Sequence, residues 1–480
     1  MKRLLTVLFV PLLALLSCVT SGESSYEGPI GQADHYNPAA MDTSPWEKPV
    51  YTKLVHSIQE LSETLKTADG GDVIALADGT YRDVELDIAA DGVMVVAETS
   101  GAVFIEGIST ITVSGENIIL EGFTFRNGYP LSSSGAINVT GSHNRVTNCM
   151  IDSYNDEILE QTFKWISLNN KTTYNSIDHC TFKGKRSEGT ILVVWRDDDS
   201  PNYHHIYRNV FMDYKYNRGD DLGKKGPDQN GFESIRIGTS QQSQSSSYTL
   251  VEYNYFNECD GEIEIISNKS GHNVYRYNTF ESCSGQLTLR HGNTCTVDSN
   301  YFFVDDIYGG GIRIIDKDHL IINNYVEGAT SGSNNRGGIC ITSHQTDPKL
   351  NGYWEASNLN ISNNTIINSR QAFLYGSSAK ANPPKSALFS HNLVRNGLDG
   401  TEEFDAIRVM GELTVQEPVY VENYYFGGDL GISPKPKGFS KKKVELIQAE
   451  SGQYIAADGS VGASELERLD LSSDVGSSFQ

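Results

Sequence analysis

The chain has 480 residues, with 38 Lys+Arg against 61 Asp+Glu, for a formal net charge of −23. Hydrophobic residues at 38% and charged residues at 21% describe a globular chain long enough to bury a large core, and exclude a disordered one. The acidic balance and the lack of a basic block argue against a duplex nucleic-acid binder, yet leave room for a locally basic cleft that takes a polyanion.

The chain opens on a targeting segment. Lys2 and Arg3 precede an apolar run from Leu4 to Leu16, which ends in Leu15-Leu16-Ser17-Cys18. That ending resembles a bacterial lipobox, in which Cys18 takes the lipid and becomes the mature N-terminus; a plain secretory signal is the alternative. The run is shorter than the ~20 residues of a comfortable membrane span, and no later stretch is long and apolar enough. The expectation is an exported bacterial lipoprotein, at the cell surface or in the periplasm, that touches the membrane only through its N-terminal lipid. Residues 1–18 are then signal, 19–50 a polar spacer, 51–430 the folded body and 431–480 a C-terminal packing segment. Six cysteines follow Cys18 and none forms a CxxC pair, so zinc is not indicated. Export permits disulfides, and buried, stacked thiols fit the spacing equally well.

Ser57 and Glu60 have capping-box spacing, and Leu54, Ile58, Leu61 and Leu65 recur with a helical period. They predict a short helix near residues 57–67, ended by Gly70-Gly71. A repeat replaces helical patterns from there on. Asn254-Tyr255-Phe256, Asn278-Thr279-Phe280, Asn300-Tyr301-Phe302 and Asn324-Tyr325-Val326 follow at Asn spacings of 24, 22 and 24, with looser copies at Asn148, His179, Asn209, Asn364 and Asn392. Each repeat holds an earlier alternating strand, such as Ile235-Arg236-Ile237 or Ile312-Arg313-Ile314. A period of ~20–25 residues with several short strands means a solenoid, whose units must stack to bury their apolar faces. The recurring Asn suits a turn where it tolerates αL geometry, and in a stack it can form a ladder. The prediction is an all-β chain folded as a right-handed parallel β-helix, capped by the short helix and expected to be a monomer. A leucine-rich repeat would need spaced leucines that are missing here.

Outward residues on equivalent strands of a solenoid stack into columns. One column draws Asn230 or Glu233, and Arg236, from one coil; Glu262, Glu264 and Lys269 from the next; then Arg290 and His291; then Arg313. Glu262 and Glu264, at i and i+2, leave one face of a strand and repel unless a cation lies between them. Oxygen ligands without His or Cys suit Ca2+, and Asn230 can add a neutral carbonyl oxygen. The bland alternative is a surface ladder of Glu and Arg; Lys269 and Arg290 on the same face favour a site. Such a set suits β-elimination on a uronate, where a cation neutralises the carboxylate beside the departing proton and a Lys takes that proton.

The stretches Asn230-Gly231-Phe232-Glu233-Ser234-Ile235-Arg236-Ile237-Gly238, Glu262-Ile263-Glu264-Ile265-Ile266-Ser267-Asn268-Lys269-Ser270 and Leu289-Arg290-His291-Gly292 resemble polysaccharide lyase family 6, which contains alginate lyases and chondroitinase B. Gly71-Asp72-Val73-Ile74 and Asp78-Gly79-Thr80-Tyr81 resemble that family's first coil. The resemblance runs over about residues 50–430. It implies a right-handed β-helix and Ca2+-dependent β-elimination on an anionic polysaccharide, alginate before glycosaminoglycan or pectate. It implies Lys269 as catalytic base, Arg290 as catalytic acid, and Glu262, Glu264 and Asn230 as calcium ligands, with Glu233 as an extra. His291 and Arg313 match positions that hold substrate carboxylates; Arg236 and Tyr353 are further substrate candidates. Tyr353-Trp354 either stacks on a sugar ring or simply covers the repeat. Asp197-Asp198-Asp199 and Asp220-Asp221 could serve a glycosidase but read better as solvated turns. Two rivals remain: a β-helix glycoside hydrolase with paired carboxylates, and a non-catalytic polysaccharide-binding lipoprotein.

Overall fold

The computed structural model describes residues 47–157, 159–215, 230–305, 308–378, 380–411, 418–471 and 473–479. The expected signal, its Cys18 and most of the spacer lie outside these residues, as does Asp220-Asp221. Within them, short strands follow one another in sets of three, and each pairs in parallel with its equivalent one turn later. They build three parallel sheets of 14, 12 and 14 strands. The first sheet runs from Lys53–Val55 to Val419–Val421, the second from Glu85–Ile88 to Ile407–Val409, and the third from Gly79–Arg82 to Phe439–Lys441. A chain that stacks each strand on its own equivalent is a parallel β-helix, as the sequence period predicts. The short helix is Ile58–Leu65. The Ser57 hydroxyl accepts from the Glu60 N–H, Glu60 accepts from the His56 N–H, and Leu61 and Leu65 join the core at the first coil.

The repeated Asn-x-aromatic pattern has two structural meanings. The aromatic points inward, and Phe182, Phe211, Phe256, Phe280 and Phe302 stack coil on coil at centroid spacings of 5.1, 4.9, 4.6 and 4.5 Å. The Asn also points inward. Asn209, Asn254, Asn278, Asn300, Asn324, Asn364, Asn392 and Asn423 form an amide ladder. Within it each side-chain NH2 donates to the next side-chain oxygen at 2.8–3.0 Å. The next oxygen also accepts the backbone N–H of the preceding Asn at 3.0–3.1 Å. The αL geometry expected of these Asn residues belongs instead to the residue before each: Arg208, Tyr253, Tyr277, Ser299, Asn323, Asn363, His391 and Glu422. Asn148 and His179, read as loose copies, are such αL positions, and Cys149 and Cys180 fill the interior place after them. The turn needs one left-handed residue, and the amide must lie one step further on to face the interior. All six described cysteines are buried and unpaired, so the stacked-thiol alternative holds for them.

After a hairpin of Leu446–Gln448 and Tyr454–Ala456, the C-terminal segment turns back along the solenoid. Gly462 donates to the His391 carbonyl, Ala463 to the Thr365 hydroxyl, Ser464 to Asn323, and Gly476 to the Arg208 carbonyl. Ser477 and Ser478 then reach Thr181 and Asn148. Leu466 and Leu469 pack on Tyr301, Tyr325 and Tyr255 along the outside of the third sheet. The strap thus runs over the third sheet and leaves the outer face of the second one free.

Asn300→Ala should strip the Asn278 amide groups of their acceptor and lower stability by about 3 kcal/mol. Thermal or denaturant unfolding of the variant measures this; a change below about 1 kcal/mol would mean the ladder is a by-product of stacking.

Candidate functional site

The site lies on the outer face of the second sheet, on the strands Ile235–Gly238, Glu264–Lys269, Gln286–His291 and Ile312–Ile314. In register, Arg236 stands against Ser267, Ser267 against Thr288, and Thr288 against Arg313. Two irregularities break this ladder. One falls between Glu264 and Ile266, the other where Lys269 pairs with His291 and leaves Arg290 as the extra residue. A bulge changes which face a side chain serves. Ile265 and Ile266 are consecutive and both buried in the core, so Glu264 keeps the outward face although it lies three residues before Ser267. Strict alternation would have turned it inward. The second bulge projects Arg290 over the same face as Lys269.

Glu233, Glu262 and Glu264 come together from two coils, and a carboxylate oxygen of each lies within 4.8 Å of the others. All three are buried, at 1%, 4% and 6% exposure. Glu262 accepts the backbone N–H groups of Gly231 and Phe232 at 2.7 and 2.9 Å, and Glu264 accepts from the Ser267 hydroxyl. Burial, with Glu233 and Glu264 beside it, pushes the Glu262 carboxyl up to about 10 despite those two N–H groups. Carboxylates buried this close repel one another, and a cation between them would relieve that repulsion. An all-oxygen, anionic donor set of this kind fits a hard divalent cation. Asn230, expected as the third ligand, lies exposed beside Gly231 at the rim. Glu233, expected only as an extra, completes the carboxylate cluster. Its signal was in the sequence, three residues before Arg236 at the entry of that strand.

Cations border the cluster. The Lys269 ammonium is 3.5 Å from Glu233, and the Arg290 and Arg313 guanidinium groups are 3.9 and 3.7 Å from Glu264. Arg313 also donates to the Tyr353 hydroxyl at 3.2 Å and to the Ser378 hydroxyl at 3.0 Å. Tyr353 roofs this end of the site: Arg290 and Lys380 lie 4.4 and 4.5 Å from its ring centroid. Burial alone would raise the Tyr353 pKa, but Arg313, Arg290 and Lys380 outweigh it and hold the phenol below its ordinary value. Of the two readings of Tyr353-Trp354, the ring contacts show Tyr353 engaged with site cations. His291 is buried, and burial, then Arg290 and Lys269, push its imidazole down to about 2. It therefore offers a neutral hydrogen-bonding group and no charge. Arg236 lies on the coil of Glu233, one coil before Glu262 and Glu264, over the Trp195 ring. Trp195, Lys164, Lys380 and Ser378 carry no pattern that marks them in the sequence; loops bring them in.

The family model for chondroitinase B matches residues 55–413. Among solved structures, the PL6 family alginate lyase AlyGC is 31% identical, with a TM-score of 0.79, over 89% of this chain and 59% of that one. A PL6 alginate lyase in complex with a trisaccharide is 27% identical, with a TM-score of 0.76, over 86% of this chain and 92% of that one. A mannuronic acid specific family 6 lyase from human gut microbiota is 27% identical, with a TM-score of 0.70, over 82% and 92%. This chain thus spans 59% of the length of AlyGC. No curated protein matches it.

The raised Glu262 pKa fixes a pH dependence. A carboxyl whose folded pKa lies above its unfolded value stabilises fully below the unfolded value and loses that stability as pH rises toward the folded one. In chelator, the wild type should therefore lose melting temperature relative to Glu262→Gln between about pH 5 and pH 9. A parallel course of the two curves would show that the cluster is not strained by charge.

Proposed function

This chain belongs to polysaccharide lyase family 6, and we propose that it cleaves a uronate-containing polysaccharide, alginate first, by β-elimination with Ca2+ held at Glu233, Glu262 and Glu264. The observation that carries this reading is the meeting of Lys269 and Arg290 beside three buried carboxylates on the outer face of one sheet. A hydrolase would need two carboxyls free to act as acid and base across a sugar. Here the three are packed against one another and bordered by cations. Alginate is favoured because family 6 structures similar to this chain are described as alginate lyases.

When bound, the cation supplies positive charge that offsets the charge growing on the uronate carboxylate as its α-proton leaves. Lys269 takes that proton. The electron pair forms the carbon–carbon double bond of the new unsaturated end, and the glycosidic bond to the leaving oxygen breaks. Arg290 serves the leaving oxygen as acid; burial lowers its pKa from the free value, which makes it a better proton donor than in water. Arg313, held by Tyr353 and Ser378, and neutral His291 position the substrate carboxylate. Tyr353 in turn keeps Arg290 and Arg313 in place, since both guanidinium groups lie within 5.8 Å of its ring centroid. The reading fits an exported lipoprotein with its lipid at Cys18, since Leu15-Leu16-Ser17-Cys18 resembles a lipobox.

Purified protein with alginate should give rising ultraviolet absorbance from unsaturated uronate, abolished by EGTA. Lys269→Ala should lower the rate by about a thousandfold or more. New reducing ends without unsaturation would make the protein a hydrolase; activity on dermatan sulfate or pectate alone would move the substrate. Labelling with a radioactive fatty acid in a bacterial host should disappear in Cys18→Ser, and its persistence would remove the anchor.

A further inference from the structure

We propose that Lys164, Trp195 and Arg236 form a second carboxylate-binding subsite, which grips a uronate of the polymer away from the bond that is cut. This inference rests on the lyase reading above for its ligand class, and on geometry for its place. Trp195 directly follows the strand Leu192–Val194, whose Val194 pairs with Ile237. Continuing that register sets Trp195 against Gly238, and Gly238 pairs with Lys269. Trp195 is thus two strand spacings from the proposed base, about 10 Å and wider than one pyranose ring. Gly238 lies between them with φ +91, and a Cβ there would come within 2.7 Å of the Lys269 carbonyl. The position excludes a side chain, so none at 238 covers the floor between Trp195 and Lys269.

Two cations share the Trp195 ring. The Arg236 guanidinium carbon is 4.7 Å and the Lys164 ammonium 5.3 Å from its centroid. Neither cation forms an ion pair with a described residue, and Arg236 Nε and Nη2 are buried without a hydrogen-bond partner among the described residues. Two like charges on one indole repel, and a donor-rich guanidinium left unsatisfied is costly. An anion between them would relieve both. On a chain of net charge −23, two cations on one indole in line with the cleavage site are a local exception, although Glu233 and Glu188 lie near enough to act on Lys164. The loop behind it is fixed: Arg196 donates to Ser200, Asn202 and Ser245, and Thr239 and Gln242 donate to the carbonyls of Arg196 and Asp197. The platform is therefore in place before any ligand arrives, which lowers the entropic cost of binding. A planar carboxylate matches the free edge of a guanidinium, and the ammonium adds a point charge.

The test compares the full-length protein with the double variant Lys164→Gln/Arg236→Gln. Turnover is followed on alginate; binding is measured by affinity electrophoresis in a Lys269→Ala background, with alginate and with carboxyl-reduced alginate in the gel. Melting curves check that each variant folds, and Arg236→Lys serves as the conservative variant. The expected result is an alginate affinity weakened about tenfold or more by the double variant, partly restored with Lys at 236, and no difference on the reduced polymer. In the active background the same change should appear as a raised KM with kcat altered far less. Turnover by the wild type with affinity and KM unchanged in the double variant would overturn the subsite and leave the lyase standing. Alginate binding that depends on Arg236 without any turnover would keep the subsite and overturn the lyase. Neither binding nor turnover on alginate would overturn both.

Discussion

Coil-on-coil register is the constraint on which the molecule depends. A parallel strand cannot pair with its sequence neighbour through a tight hairpin, so every strand must find its partner one full turn later. The amide ladder from Asn209 to Asn423 enforces that registry from within, because each carboxamide both donates to and accepts from its neighbour. A slip by one residue would break the ladder, unstack Phe211, Phe256, Phe280 and Phe302, and turn each outward side chain inward. Satisfied buried polar groups specify one arrangement more sharply than apolar packing alone.

That fixed register allows the outer face of one sheet to carry groups that would not tolerate each other elsewhere. Three buried carboxyls sit within 4.8 Å, and the Gly231 and Phe232 N–H groups hold one of them in place. Local departures from the ladder make the site. The irregularity at Ile265 keeps Glu264 outward, and the one at Arg290 projects that guanidinium beside Lys269. Each costs backbone hydrogen bonding at one point, which a stack of twelve strands can absorb.

The two long faces are used differently. The C-terminal strap binds coils from His391 back to Asn148 along the third sheet, joining repeats that otherwise touch only their neighbours. Among the described residues the strap leaves the second sheet uncovered, and positive groups lie on either side of its acidic cluster: Lys164 and Arg236 toward the first coils, Arg290, Arg313 and Lys380 toward the last. An extended polyanion laid across the strands would meet these groups in succession.

The sequence by itself determined the architecture and most of the site's members. A period of 22 to 24 residues admits only a stacked coil, and Ser57 with Glu60 places the helix start where it is. Lys269 and Arg313 were legible because equivalent positions in a regular stack fall on one face, and Glu262, Glu264 and Arg290 through the motifs that carry the family resemblance. What the period could not carry was its own exceptions. Alternation assumes two residues per pleat, so it gives no sign of the bulges that set Glu264 and Arg290. It placed the αL turn on the Asn itself, when the preceding residue takes it and frees the Asn to face the interior. Nor does it say which of Glu233 and Asn230, which precede the same strand, is buried: the closing of the coil buries Glu233 and leaves Asn230 exposed. Tyr353, Trp195 and Lys164 stand on loops or strand ends, where no period holds. Tertiary packing alone brought them to the cations and the floor beside Lys269.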